Sequence, residues 1–286
     1  MCEKNRNNGE KGVCSVTDEI MLARAALHFW EEPCISGSVG SGTVFFSGCS
    51  LRCVYCQNRA AALAQAAKRV SGERLAQIFL QLQAEGAANI NLVTPDHYVP
   101  QIISSLKAAR DDGMDLPVVY NTSSYVMPQT IDLLEGLVDI YLADYKYHTA
   151  EIAARYSHAA DYPQYARKAI ERMVSQQNKC LFDGNGTMKS GVIIRHLVLP
   201  GHVAEAKRAI RYIYETYGDS VYISIMSQFT PCGGLDDYPE INRRITQSEY
   251  DRVIDFAIGL GVKNAFVQDG EAASESFIPM FDYEGV

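Results

Sequence analysis

A chain of 286 residues, 47% apolar and 21% charged, has the composition of an ordinary globular protein and room for one large α/β domain or two small ones. A net charge of −8 without Lys/Arg blocks excludes an extended phosphate-binding surface, so no nucleic-acid partner is expected. No apolar run approaches the roughly 18 residues of a membrane span. The polar start MCEKNRNNGEKG also lacks the apolar core of a signal peptide, so a cytoplasmic protein without a membrane partner is expected.

Residues 1–36 begin polar, then place Ala23, Ala26, Leu27 and Trp30 at helical spacing, which predicts a helix over Glu19–Trp30. From Thr43 onward, short runs rich in Val, Ile and Tyr alternate with longer amphipathic ones. Strands are predicted at Thr43–Ser47, Asn89–Thr94, Val118–Thr122, Ile140–Tyr145, Val192–Leu199, Val221–Met226 and Ala265–Gln268. Helices are predicted between them at Glu73–Glu85, Val99–Arg110, Gln129–Leu137, Pro163–Gln177, Ala204–Tyr217 and Gln247–Gly259. Six alternations and a last strand point to parallel βα units. An open doubly wound sheet and a full or partial barrel both fit; in a barrel, chemistry sits where the strands end. Without linkers, low-complexity segments or internal repeats, the simplest organisation is one domain over 37–286 with an N-terminal extension over 1–36.

Eight cysteines in a reducing compartment point to metal or redox chemistry rather than to disulfides. Three of them are tightly grouped. FFSGCSLRCVYCQN places Cys49, Cys53 and Cys56 directly after the first predicted strand. Iron–sulfur clusters normally take four thiolates. Three thiolates from one loop hold three irons of a cubane and leave the fourth open to a substrate. The competing reading is a non-catalytic scaffold in which a fourth thiol, Cys34, completes a tetrahedral zinc site. The glycine run SGSVGSG, residues 36–42, precedes a strand instead of following one, so it reads as a flexible lead-in rather than a phosphate loop.

CSLRCVYC resembles the CxxxCxxC signature of the radical S-adenosylmethionine superfamily, with Tyr55 as the aromatic residue before the last cysteine. NINLVTPDHY, YNTSSY, DIYLADYKY, IRHLVLPGH and MSQFTP resemble the branch of pyruvate formate-lyase activating enzyme-like proteins. The resemblance implies a partial (β/α)6 TIM-type barrel that carries a [4Fe–4S] cluster on the three cysteines. It implies S-adenosylmethionine bound to the open iron and cleaved reductively to a 5′-deoxyadenosyl radical, which takes a hydrogen atom from a substrate. The implied partners are a protein or peptide substrate such as a glycyl-radical enzyme, and an electron donor such as flavodoxin or ferredoxin. A small-molecule substrate is the alternative within the same chemistry. CEKNRNNGEKGVC resembles the second half of an N-terminal cysteine motif of this branch, which makes Cys2 and Cys14 candidates for a second metal site.

Polar residues at predicted strand ends are the candidates for holding S-adenosylmethionine, together with Tyr55. Asn121 and Ser123 share a face at the end of the third predicted strand, as Asp144 and Lys146 do at the end of the fourth. Lys146 is placed to meet the methionine carboxylate; the alternative is a plain ion pair of Asp144 with Lys146 or Arg195. Arg195 and His196 are adjacent, so only one of them faces the lumen. Thr94 ends the second predicted strand, where the better-known activating enzymes carry Gly-Gly-Glu and this chain has Thr94-Pro95-Asp96. Gln228, beyond the sixth strand, is a candidate for adenine or substrate contact.

Overall fold

A computed structural model describes residues 2–268 and 279–286. Its strands are β1 (Met21–His28), β2 (Ser41–Phe46), β3 (Lys68–Arg69), β4 (Ile90–Val93), β5 (Val118–Thr122), β6 (Ile140–Asp144), β7 (Leu181–Phe182), β8 (Met188–Leu197), β9 (Tyr222–Met226) and β10 (Ala265–Val267). The helices are α1 (Pro33–Ser36), α2 (Arg59–Ala62), α3 (Gly72–Ala84), α4 (Val99–Asp111), α5 (Pro128–Asp132), α6 (Ala150–Ser157), α7 (Tyr162–Gln176), α8 (Val203–Tyr217) and α9 (Gln247–Leu260). The sheet runs β10-β9-β8-β6-β5-β4-β2-β1-β3, with β7 paired to β8 alone. From β2 to β10 along this order the pairs are parallel, while β1 and β3 add antiparallel at one edge. This is a mostly parallel, partial TIM-type barrel. No helix of the described residues is long and apolar enough to cross a membrane.

Strand alternation sorts the side chains into two layers. Tyr120, Tyr141, Ala143, Val192 and Ile194 point outward into the main core beneath the helices. Val119, Ile140, Leu142 and Ile193 point inward and pack with Cys34 and Ile35 of α1 in a separate apolar cluster. These inward residues fill the lumen near the start of the strands. Toward the strand ends the same inward positions become polar at Asn121, Asp144 and Arg195, and Asn91 is polar already at the level of Val119.

The N-terminal segment departs from expectation. Residues 21–28, inside the predicted helix over Glu19–Trp30, form β1. This strand pairs with β2 from Leu22↔Phe46 to His28↔Ser41, with a register shift between Leu22 and Arg24. A ready strand partner overrides the helical spacing of small residues, whose local preference is weak. The outer edge of β1 is covered in turn. The amide of Ala25 donates to Glu284 O at 2.9 Å, and Tyr283 N donates to Ala23 O at 3.2 Å. Arg24 pairs with Asp282 at 2.7 Å and with Glu284. A covered edge is protected from pairing with another chain.

The cysteine-lined candidate active site

The strand that precedes the cysteine loop is β2, the first of the parallel set. Gly48 follows it with φ +94°, and a Cβ there would lie 2.6 Å from Cys14 O, so both conformation and space call for glycine. The loop is then tied to the end of α6, a helix that sequence periodicity did not reveal. Val54 N donates to Tyr156 O at 2.9 Å, and Ser157 Oγ donates to Cys53 Sγ at 3.1 Å. Tyr55 is buried against Tyr147, Tyr156 and Phe229, with its hydroxyl 2.7 Å from that of Tyr147.

One cavity of about 240 Å³ opens at the ends of the parallel strands, lined by all three cysteines and by Tyr55, Thr94, Asn121, Ser123, Lys146, Arg195 and Gln228. His196 is outside it. Next to Arg195 on β8, it takes the opposite face, is buried among the outer layer and sets Nδ1 2.7 Å from Tyr145 O. Burial holds its pKa below the usual histidine value. Arg195 is therefore the member of that pair that faces the lumen.

Facing the cysteines is a buried charge network. Arg195 donates through Nε to Asp144 at 2.8 Å, through Nη1 to Glu31 at 3.0 Å and through Nη2 to Asn121 Oδ1 at 2.6 Å. Lys146 Nζ donates to the other Asp144 oxygen at 2.7 Å. Glu31 also accepts from Asn91 and Asn121, at 3.0 and 3.1 Å. Both ion pairs foreseen for Asp144 thus form. Burial alone would raise the Asp144 carboxyl, yet Arg195 and Lys146 hold it below the usual range. Glu32, buried next to Glu31 and 4.0 Å from Arg195, is raised above the usual carboxylate value by desolvation.

Sequence reasoning missed Glu31, Glu32, Asn91 and Ser157. Glu31 and Glu32 arrive on the turn before α1, a tertiary placement with no periodic signal. Asn91 was visible as a polar residue two positions before Val93 within a strand. Thr94 has φ +57°, a left-handed conformation that β-branched residues avoid.

Three thiols of this kind suit soft iron. Burial pushes Cys49 up to about 11 and Cys56 up to about 12, and the Cys53 sulfur beside them adds to both shifts. A metal held there would have to displace their protons as it binds. Among the described residues no three His, Cys, Asp or Glu side chains are grouped as ligands of a single ion. The all-sulfur, three-membered donor set around one cavity fits a cluster with an open corner. Cys34 lies in the apolar cluster at the other end of the lumen and does not line the cavity. Cys2 is exposed and Cys14 buried; both sulfurs lie close to where a Gly12 side chain would stand, 3.2 and 3.3 Å from its Cβ position.

A scan against protein-family models finds no match. The chain is 29% identical over 263 residues to an uncharacterized protein of Methanocaldococcus jannaschii, covering 90% of this chain and 72% of that one. Among solved structures it is similar to Streptococcus suis SuiB bound to the precursor peptide SuiA, with a TM-score of 0.52 and 12% identity over 77% of this chain and 46% of that one. SuiB bound to S-adenosylmethionine gives 0.52 and 11% identity, over 77% of this chain and 48% of that one. The FeFe-hydrogenase maturase HydG of Carboxydothermus hydrogenoformans gives 0.51 and 11% identity, over 82% and 55%. The chain spans about half the length of these proteins, and at such identity the likeness is one of fold.

Proposed function

We propose that this chain is a radical S-adenosylmethionine enzyme. The observation that carries the reading is that Cys49, Cys53 and Cys56, in CxxxCxxC spacing, line the same cavity as the Asp144–Lys146–Arg195 network at the strand ends. When bound, the [4Fe–4S] cluster and S-adenosylmethionine supply the electron transfer and the 5′-deoxyadenosyl radical. The chain's own part is to hold and orient. The three thiolates hold three irons and leave one for the amino acid end of S-adenosylmethionine. Lys146 and Arg195 offer cationic donors to the methionine carboxylate, with Asn121 and Ser123 beside them. Asp144 and Glu31 hold both cations in place, so little reorganisation precedes binding. Tyr55, Thr94 and Gln228 complete the walls and exclude water.

The substrate in this reading is a protein or peptide, with a glycyl-radical enzyme as one form of it. Support comes from the branch-like sequence stretches and from the fold shared with SuiB, which was solved with a precursor peptide. A low-potential donor such as flavodoxin or ferredoxin supplies the electron, and the reduced cytoplasm keeps the thiols free. The test is anaerobic reconstitution with iron and sulfide, followed by dithionite and S-adenosylmethionine. Methionine and 5′-deoxyadenosine should appear in equal amounts, and Cys53→Ser should abolish both. A cluster-loaded sample that yields no 5′-deoxyadenosine, or a protein that retains zinc and no iron, overturns the reading.

A further inference from the structure

A chain of three buried hydroxyls ends on one sulfur of the cysteine triad. Tyr55 Oη lies 2.7 Å from Tyr147 Oη, which lies 2.6 Å from Ser157 Oγ, which lies 3.1 Å from Cys53 Sγ. Hydroxyl protons fix the direction. A ligating sulfur only accepts, so Ser157 gives it its single proton. Tyr147 must then donate to Ser157, and Tyr55 to Tyr147. Such a chain polarises along its length and is stronger than its separate links.

The last link is short for sulfur. Thiol contacts of Cys14, Cys180 and Cys232 to carbonyls in this chain span 3.6–3.9 Å. Its donor side is buried, Tyr147 fully and Ser157 and Tyr55 nearly so, while the Cys53 sulfur borders the cavity. Burial raises both tyrosine pKa values well above the usual one, so both remain proton donors. Backbone amides of their own loop, Leu51 and Arg52 for Cys49 and Asn58 for Cys56, lower the pKa values of those two thiols. Among the described residues, Cys53 is the one of the three whose sulfur accepts from a side chain of a different element, the C-terminal residue of α6.

We infer that Ser157, aligned by Tyr147 and Tyr55, is a positioning residue that donates to the Cys53 thiolate and raises the reduction potential of the cluster held there. The inference rests on the proposed function and deepens it. Reduction adds one electron to the cluster, and the added negative charge spreads onto the sulfurs. A donor aimed at a sulfur therefore favours the reduced form. The device is a way to make the cluster reducible by a biological one-electron donor.

The experiment is an anaerobic redox titration of the reconstituted protein with dithionite, followed by electron paramagnetic resonance. Ser157→Ala should be harder to reduce by roughly fivefold in the reduction equilibrium, the weight of one lost hydrogen bond. Ser157→Thr, which keeps the hydroxyl, should stay near the wild type. Tyr147→Phe leaves Ser157 in place but unaligned, and should shift the potential in the same direction by less; it carries the test if Ser157→Ala fails to take up iron. Equal potentials in wild type and variants with equal iron content overturn the inference and leave the proposed function standing. A wild-type protein that takes up no cluster overturns both.

Discussion

Asp96 shows how a buried group next to the site limits stability. Its carboxyl accepts from Tyr120 at 2.9 Å and Thr122 at 2.7 Å, yet burial, the largest influence, pushes it up to about 6 from an ordinary 3.8. The folded chain therefore holds the Asp96 proton more tightly than the unfolded chain. This contribution to stability is fully present below about pH 4 and lost as pH rises through 6. Asp96→Asn keeps an acceptor for both hydroxyls and carries no charge. It should raise stability at pH 7 by an amount on the order of 2–3 kcal/mol and flatten the fall between pH 4 and 6, as read from urea unfolding of the cluster-free protein. The neighbouring His97 works in the opposite direction. Burial lowers it to about 4 from 6.5, so its contribution is present above 6.5 and lost as pH falls toward 4.

Thr94 permits a second test at the same scale. It takes φ +57° at the end of β4. A left-handed backbone costs a residue with a Cβ about 1–2 kcal/mol, against about 0.5–1 kcal/mol of extra unfolded-state entropy for glycine. Thr94→Gly should then leave stability unchanged or raise it, and a loss above 1 kcal/mol in urea unfolding would contradict the account. The cysteine spacing made the triad legible in the sequence, because all three ligands lie in one short loop. Glu31 was not legible, since it meets Arg195 from a turn 164 positions away.

Elements were legible in proportion to their periodicity. The parallel strands and the longer helices α3, α4, α7, α8 and α9 each carry a sustained apolar pattern, and they lie where that pattern places them within a few residues. Strand β1 was masked by alanines whose spacing suits either structure until a partner strand decides. Helix α6, with the sequence AEIAARYS, is eight residues long and too brief to show two turns of pattern. It is also the element that grips the cysteine loop, so the sequence concealed a support of the site while displaying the site. Helix α9 carries a clearer signal. Thr246 accepts from Glu249 N at 3.2 Å while the Glu249 carboxylate accepts from Thr246 N at 3.0 Å, a complete capping box. The same carboxylate accepts from Gly201 N at 2.8 Å, which joins the helix to the loop after β8. Thr246→Ala should cost about 1 kcal/mol in unfolding experiments without changing metal uptake.

At the scale of the whole molecule, the two ends of the chain complete the barrel. The N-terminal segment supplies an edge strand, the apolar plug of α1 and the Glu31 carboxylate. The C-terminal residues lie along β1 and set Phe281 edge-on to Phe45, 5.6 Å between ring centres, in an apolar cluster with Ala61 and Val93 beside the cavity. Neither role is local in sequence, and each depends on the sheet having formed. Among the described residues the lumen is thus filled by apolar packing at one end and lined by polar groups at the other, where the cysteines stand. The central claim is that three thiolates hold a cluster whose remaining iron takes S-adenosylmethionine. The most direct measurement is electron paramagnetic resonance of the dithionite-reduced, reconstituted protein before and after S-adenosylmethionine is added. The account predicts about four irons per chain and a spectrum that changes on addition, with Lys146→Met and Arg195→Met requiring more S-adenosylmethionine for the same change. A cluster-loaded protein whose spectrum is unaltered at saturating S-adenosylmethionine would contradict it.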